Sequence, residues 1–216
     1  MLSKKTILKK TVEVGASTLF SRMFGIMREF IMVRYLGASA LSDAFLTAFR
    51  VPNSLRKVFA EGALSVALIP TIVSAYKHEG KNGVNRLVTL SFIFFEGILL
   101  CVCAVALWQA PAVIWLSSPG FTAQQVMLSV PFLKVLMPLI IFLSSSAIIT
   151  GALQTVGHFF IPAIAPAVLN IVFISGAFVC LWFDLPIIVL CWVITAGGLI
   201  HFLMHLIAYR TYGFGI

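Results

Sequence analysis

Arginines placed among apolar residues are the first chemical signal in this chain. Arg22, Arg28 and Glu29, then Asp43, Arg50, Asn53, Arg56, Lys57 and Glu61, all fall in the first third of 216 residues that are 61% hydrophobic and 10% charged. A planar guanidinium donates paired hydrogen bonds and keeps its charge at every relevant pH, so it suits a phosphate-type anion. Spacing sharpens the signal. Asp43, Thr47, Arg50, Ser54, Lys57, Glu61 and Ser65 recur at steps of three or four, which gathers them on one side of a helix, and Asn53 and Arg56 widen that face. In the preceding segment Arg22, Gly25 and Glu29 share a face that Arg28 borders.

A charge near the centre of a bilayer costs at least about 2.5–3.5 kcal/mol, so several in adjacent helices should face an aqueous cavity or one another. Two uses follow. In one, the helices line a basic cavity that takes an anionic lipid head group. In the other, Arg28, Glu29, Asp43, Arg56 and Glu61 form internal ion pairs that hold helices together. Arg34, Arg50 and Lys57 also stand where a long side chain can snorkel to an interface. Lys134, four residues before Pro138, is open to both a cavity-facing and a snorkelling reading. Glu96 is a lone acid in an apolar stretch, either a proton or ion site or the partner of a neighbouring helix.

Other residue sets carry less. His201 and His205 lie four apart without a third ligand or an H-E-x-x-H motif, which favours packing or an interface position over metal binding. Cys101, Cys103, Cys180 and Cys191 lie in apolar runs without C-x-x-C or zinc spacing, so an inert lipid-facing or packing role is expected of them. No nucleophile, base and orienter set and no phosphate-cradling loop is present, which argues against an enzyme. Nothing calls for a cofactor or a metal. The net charge of +8 comes from residues in or beside apolar segments and forms no soluble basic face, so a nucleic-acid partner is not indicated.

The elements that must position the arginines are helices in lipid. A hydrocarbon core about 30 Å thick needs roughly 20 apolar residues per helix, so this length accommodates about six spans. They are read at approximately 10–36, 41–76, 87–109, 124–154, 158–183 and 186–210; the last four are strongly apolar, while a hydropathy window can miss the first two. A second reading makes those two amphipathic surface helices. Lysine and arginine decide between the readings. Lys4, Lys5, Lys9 and Lys10, then Lys77, Lys81 and Arg86, then Arg210 fall on one side, and the opposite connections PAVIWLSSPGFTAQQ and WFDLP contain neither residue. That alternation requires the first two segments to cross, giving six crossings with both termini cytoplasmic. Trp108, Trp115 and Trp182 then sit near the outer ends as belt residues. The basic N-terminus lacks a compact apolar run and a cleavage site and is read as retained. Pro52, Pro131, Pro138, Pro162 and Pro166 are expected to interrupt helices, as bending sites beside a wet cavity or as static packing kinks.

SRMFGIMREF, LGASALSDAFLTAFRVPNSLRKVFAEGALSVALIP, FLKVLMP and IPAIAPAVLNI resemble the MurJ (MviN) family of lipid II flippases, and the resemblance runs in order through nearly the whole chain. It implies an all-α integral membrane protein of the multidrug/oligosaccharidyl-lipid/polysaccharide exporter superfamily, about six transmembrane helices forming one lobe of a two-lobed fold. The second lobe lies outside this sequence, so residues 1–216 would be half, a fragment or a truncated relative of a flippase. The resemblance further implies carriage of lipid II, the undecaprenyl-pyrophosphate-linked peptidoglycan precursor, across the bacterial plasma membrane by alternating access. Its partners would be lipid II, membrane lipids and a second transmembrane lobe. The family's cavity arginines fall on Arg22, Arg28 and Arg56, and its supporting polar positions on Asp43, Asn53 and Glu61. Glu29 stands where the family commonly has aspartate. The rival functions are export of another polyprenyl-linked glycan or a drug, and a non-transporting scaffold derived from a flippase.

The charge asymmetry generates a topology test. Reporter fusions after Tyr76 and after Tyr209 should read cytoplasmic and one near Ser118 external; an external reading after Tyr76 would refute six crossings.

Overall fold

The computed structural model describes the backbone of residues 4–215. The side chains of residues 4–11, 13, 14 and 60–67 lie outside the description, and with them those of Glu61, Ser65 and the N-terminal lysines. The described residues form helices and short connections without a strand.

Local chemistry sets the helix ends. Helix α1 (Lys4–Leu36) stops at Gly37, whose φ of +59° only glycine adopts freely and whose N–H closes on the Val33 carbonyl at 3.0 Å. Ser39 then caps α2 (Ala40–Arg56), its hydroxyl accepting from the Ser42 N–H at 3.2 Å. A π-helical turn, Lys57–Gly62, joins α2 to α3 (Ala63–Ser91), and α3 is itself broken at Gly80, where φ is +62° and ψ −146°. A second π-helical turn, Phe92–Glu96, leads into α4 (Gly97–Trp108). The short α5 (Ala110–Ser117) occupies part of the stretch read from sequence as a bare connection. A reciprocal Thr122–Gln125 capping box opens α6 (Ala123–Leu136), and α7 (Pro138–Thr155), α8 (Phe160–Trp182) and α9 (Ile187–Thr211) complete the chain.

The prolines correct the sequence reading. Pro138 does mark a break, between α6 and α7, and Pro162 lies in the first turn of α8, but Pro52, Pro131 and Pro166 are carried inside continuous helices. Pro52 is buried against neighbouring helices, whereas Pro131 and Pro166 are exposed.

Four helical stretches are long and apolar enough to cross a membrane among the described residues: Leu68–Trp108, Ala123–Thr155, Phe160–Trp182 and Ile187–Thr211. The α1 helix has 33 residues and a length of about 50 Å, sufficient to span hydrocarbon despite its charges. Large apolar side chains face outward, and Trp108, Trp115 and Trp182 are exposed at the end of the bundle that also holds α5. In lipid such a surface is solvated.

Packing follows chain order only in part. The α1 helix lies on α8, α8 on α9, α9 on α7, α7 on α3, and α2 on α6. One apolar cluster, which includes Phe45, Ile114, Leu133, Leu136 and Leu190, fills the α5 end. Another, which includes Ile72, Val88, Ile149 and Tyr209, fills the opposite end. There the chain folds back on itself: Lys81 Nζ donates to the Tyr212 carbonyl at 2.6 Å and the Tyr209 hydroxyl to Asn85 Oδ1 at 3.2 Å.

Small residues let the helices approach. A methyl at Gly176 of α8 would overlap the stiff β-branched Val193 of α9, whereas Gly97 has nothing within 4 Å of the same position. Gly176→Ala should therefore cost about 1–3 kcal/mol through overpacking, seen as a lowered thermal midpoint in detergent. Gly97→Ala should leave the midpoint near the wild-type value.

Candidate functional site

Between the two apolar clusters lies a cavity of about 330 Å³ with a polar wall, within the usual range for small-ligand sites. Four surrounding helices offer it residues at helical spacing, and a fifth offers one. From α2 come Phe49, Asn53 and Arg56; from α7, Ser146 and Thr150; from α8, Pro162, Pro166 and Asn170; from α9, His201 and His205; and α1 adds Arg28. A polar stripe on an otherwise apolar helix has few places to go at membrane depth, and five helices solve the problem together.

The Arg28 guanidinium is held on three sides. Its Nη1 donates to Asn170 Oδ1 at 3.2 Å, its Nη2 donates to the Glu29 carboxylate, and its Cζ lies 5.4 Å from the centre of the Phe173 ring. Asn170 is itself oriented, its amide donating to the Ser21 carbonyl at 3.4 Å. That closes a link from α1 to α8 and back to α1. Across the cavity Arg56 Nε donates to Asn53 Oδ1 at 3.1 Å, one turn earlier on α2. Two oriented guanidiniums on separate helices thus border one small space, an arrangement that suits an anion with two phosphate groups.

The structure distributes the other residues singled out from the sequence as follows. Arg22 lies on α1 in a shallower depression of about 500 Å³ with Ser21, Gly25, Glu29 and Asn170, and Arg28 borders both spaces. Glu29 is exposed and pairs with Arg28 from that outer side. Asp43 stands exposed in the first turn of α2, about 20 Å along the helix from Arg56 at 1.5 Å per residue, and does not line the cavity. Lys134, in the last turn of α6, is exposed and does not line it either. Glu61 has no described side chain. Arg50 reaches the Ser117 carbonyl at 3.4 Å, and Thr47 meets the Ser118 hydroxyl at 3.1 Å, so that part of the polar stripe ties α2 to the end of α5. Glu96, in the second π-helical turn, is buried and receives the Ser145 hydroxyl at 3.1 Å from α7.

Three cavity groups went unassigned in the sequence. Asn170 was visible as the polar end of the Pro162, Pro166, Asn170 series, and Ser146 with Thr150 as an i, i+4 pair. His201 and His205 were noticed for their spacing but read as packing or interface residues. All lie on the cavity wall.

The family model described as lipid II flippase MurJ matches residues 32–216. The chain belongs to the MurJ family. It is 34% identical over 198 residues to the probable lipid II flippase MurJ of Rhizobium tropici, covering 90% of this chain and 37% of the relative. Against the lipid II flippase MurJ of Burkholderia cenocepacia it is 33% identical over 203 residues, covering 93% of this chain and 39% of the relative. A solved structure of lipid II flippase MurJ in an inward closed conformation superposes with a TM-score of 0.79 at 26% identity, covering 95% of this chain and 43% of that one. The chain thus spans about two fifths of the MurJ relatives it matches.

The link through Asn170 generates a stability test. Asn170→Leu keeps volume but strips Arg28 of its α8 acceptor, and should cost about 1–3 kcal/mol for a charged group left short of a partner. A thermal scan in detergent measures it, with Ile171→Leu at the exposed neighbour as control.

Proposed function

We propose that this chain forms one lobe of a lipid II flippase in the bacterial plasma membrane, with Arg28 and Arg56 gripping the pyrophosphate of the lipid. The carrying observation is the convergence of these two guanidiniums, from α1 and α2, on one cavity between apolar clusters. Arg22 would take the approaching head group in the outer depression, and Asn53, Asn170 and Glu29 would orient the guanidiniums. Asp43, Glu61 and Lys134 would act outside this immediate grip. Six crossings with both termini cytoplasmic agree with the one-sided lysine and arginine distribution. Movement between leaflets would come from rocking against a second transmembrane lobe around the fixed site, as in other repeat-built transporters. No bond in the lipid is broken, so no catalytic group is needed.

A second lobe is part of the proposal for a physical reason. The outer face of α1 presents Arg22 and Glu29 among exposed Phe30, Met23 and Ile26, and charges facing acyl chains carry the full intramembrane cost. An opposing protein wall removes it. Export of a different polyprenyl-linked glycan or drug would use the same cavity, and a scaffold would use none of it.

The test is complementation in cells depleted of their own flippase, with this chain expressed alone and beside a second-lobe chain, scoring growth and lipid II exposure. Rescue is expected only from the pair. In the pair, Arg28→Ala and Arg56→Ala should each cut lipid II exposure at least about tenfold, the range for a lost charged hydrogen bond. Lysine at either place should restore only part, because a point charge lacks the fork of donors. Full activity of both alanine variants at normal protein level would overturn the assignment.

A further inference from the structure

The α9 wall of the cavity carries two imidazoles whose hydrogen bonds fix where their protons lie. The Ser146 hydroxyl gives its single proton to the Phe142 carbonyl at 2.8 Å, so at 3.0 Å it accepts from His201 Nδ1–H. His205 Nδ1 lies 2.9 Å from the His201 carbonyl, and a carbonyl only accepts. Each neutral ring therefore keeps its proton on Nδ1 and leaves Nε2 as a lone pair. Both histidines are buried yet both line the cavity, and no hydrogen bond reaches either Nε2 among the described residues.

The surrounding charges argue for that neutral arrangement. Arg28 on α1 and Arg56 on α2 line the same space, and the two imidazole centres are 4.7 Å apart. The other titratable neighbours at this end are His158, in the α7–α8 turn, and Tyr209 on α9 itself; His158 is engaged by the Tyr212 hydroxyl at 2.8 Å and Tyr209 by Asn85. Of the elements packed on α9, α6 brings Lys134, which lies off the cavity, while α7 and α8 bring only the uncharged Ser146, Thr150 and Asn170. Charging both rings would set two cations with ring centres 4.7 Å apart in a cavity that Arg28 and Arg56 already line, which Coulomb repulsion opposes.

The cavity thus presents donors on one side and acceptors on the other. We infer that His201 and His205 are specificity residues, whose Nε2 atoms accept hydrogen bonds from the hydroxyl and amide N–H groups of a sugar attached to the pyrophosphate. This inference rests on the flippase reading above and adds a selection rule to it. An ionised pyrophosphate has acceptors alone, so a bare lipid pyrophosphate satisfies the arginines and leaves two imidazole lone pairs facing it. A site built around hydrogen bonds to a ligand's polar groups discriminates strongly against an analogue lacking them, because its own groups are then left unpaired. The glycan-bearing carrier is retained and the stripped carrier is rejected.

The experiment measures binding of two probes, lipid II and undecaprenyl pyrophosphate, to the chain co-purified with its second-lobe partner in detergent, by native mass spectrometry or microscale thermophoresis. The wild-type pair should prefer lipid II by at least about tenfold. His201→Phe and His205→Phe should collapse that ratio toward one, while His205→Gln, whose amide oxygen still accepts, should keep part of it. Thermal midpoints identify any variant that fails to fold, and His201→Leu, which also lacks an acceptor, then substitutes for the phenylalanine at that position. An unchanged ratio in folded variants at both positions overturns the inference, and so does an equal loss for both probes, which would make the histidines general anion contacts. Binding of neither probe to the wild-type pair would instead refute the flippase reading.

Discussion

A hydrocarbon environment offers no water to a polar group that the protein leaves unpaired, and that single cost shapes where every polar side chain in this bundle sits. Hydroxyls turn back onto their own helices: Ser129 donates to the Gln125 carbonyl, Ser146 to Phe142 and Thr150 to Ser146. Glu96 finds Ser145 on the next helix. Arg28 and Arg56 are longer and charged, and no backbone turn can hide them. They require a space, and the space exists because α1, α2, α7, α8 and α9 each turn at least one polar side chain toward it.

The α7 helix does most to organise that space. Consecutive residues on a helix point about 100° apart, so Ser145 and Ser146 reach opposite neighbours, one the Glu96 carboxylate and the other the His201 ring. Turning α7 to improve one contact would break the other. Its apolar residues divide along the axis, Leu139, Ile140 and Leu143 belonging to one cluster and Ile148, Ile149 and Ala152 to the other. The cavity opens where the helix changes from the first cluster to the second. By contrast α1 makes its main contact with α8, and the Asn170 link sets where Arg28 stands.

Much of this was legible in the sequence, for reasons that particular residues make plain. The all-helical membrane class follows from composition, because 61% hydrophobic residues cannot be buried by a chain this short in water. Arg28, Asn53 and Arg56 were picked out as cavity residues by type and by the motif that contains them. What periodicity alone obscured was the face. The sequence stripe ran Asp43, Thr47, Arg50, Ser54, Lys57, yet the cavity takes Phe49, Asn53 and Arg56, a stripe displaced by one residue. Polarity marks every side of α2 that avoids lipid, and one such side binds the end of α5 through Thr47 and Arg50. For His201 and His205 the spacing speaks only to metal binding, and it does not reveal that both line the cavity. Their meaning lies in tertiary contacts with Ser146 and the cavity, which no spacing rule contains.

The π-helical turns explain why such a stripe cannot be extended along the chain. An i→i+5 turn fits in one more residue than an α-turn and so rotates everything beyond it by about 100° relative to a continued α-helix. The turn Lys57–Gly62 begins immediately after Arg56, so a count by threes and fours that joined Asp43 to Glu61 and Ser65 crossed a change of phase. The turn Phe92–Glu96 ends on the buried glutamate and has the same effect on the helix that follows. Both sit where an ionisable side chain must face a chosen partner. Arg56 faces the cavity before the phase shifts, and the residues after it are freed to pack α3 against α7. A regular helix through residues 40–91 would hold one polar face along its whole length, and that face could not serve a cavity at one level and an apolar contact at the next.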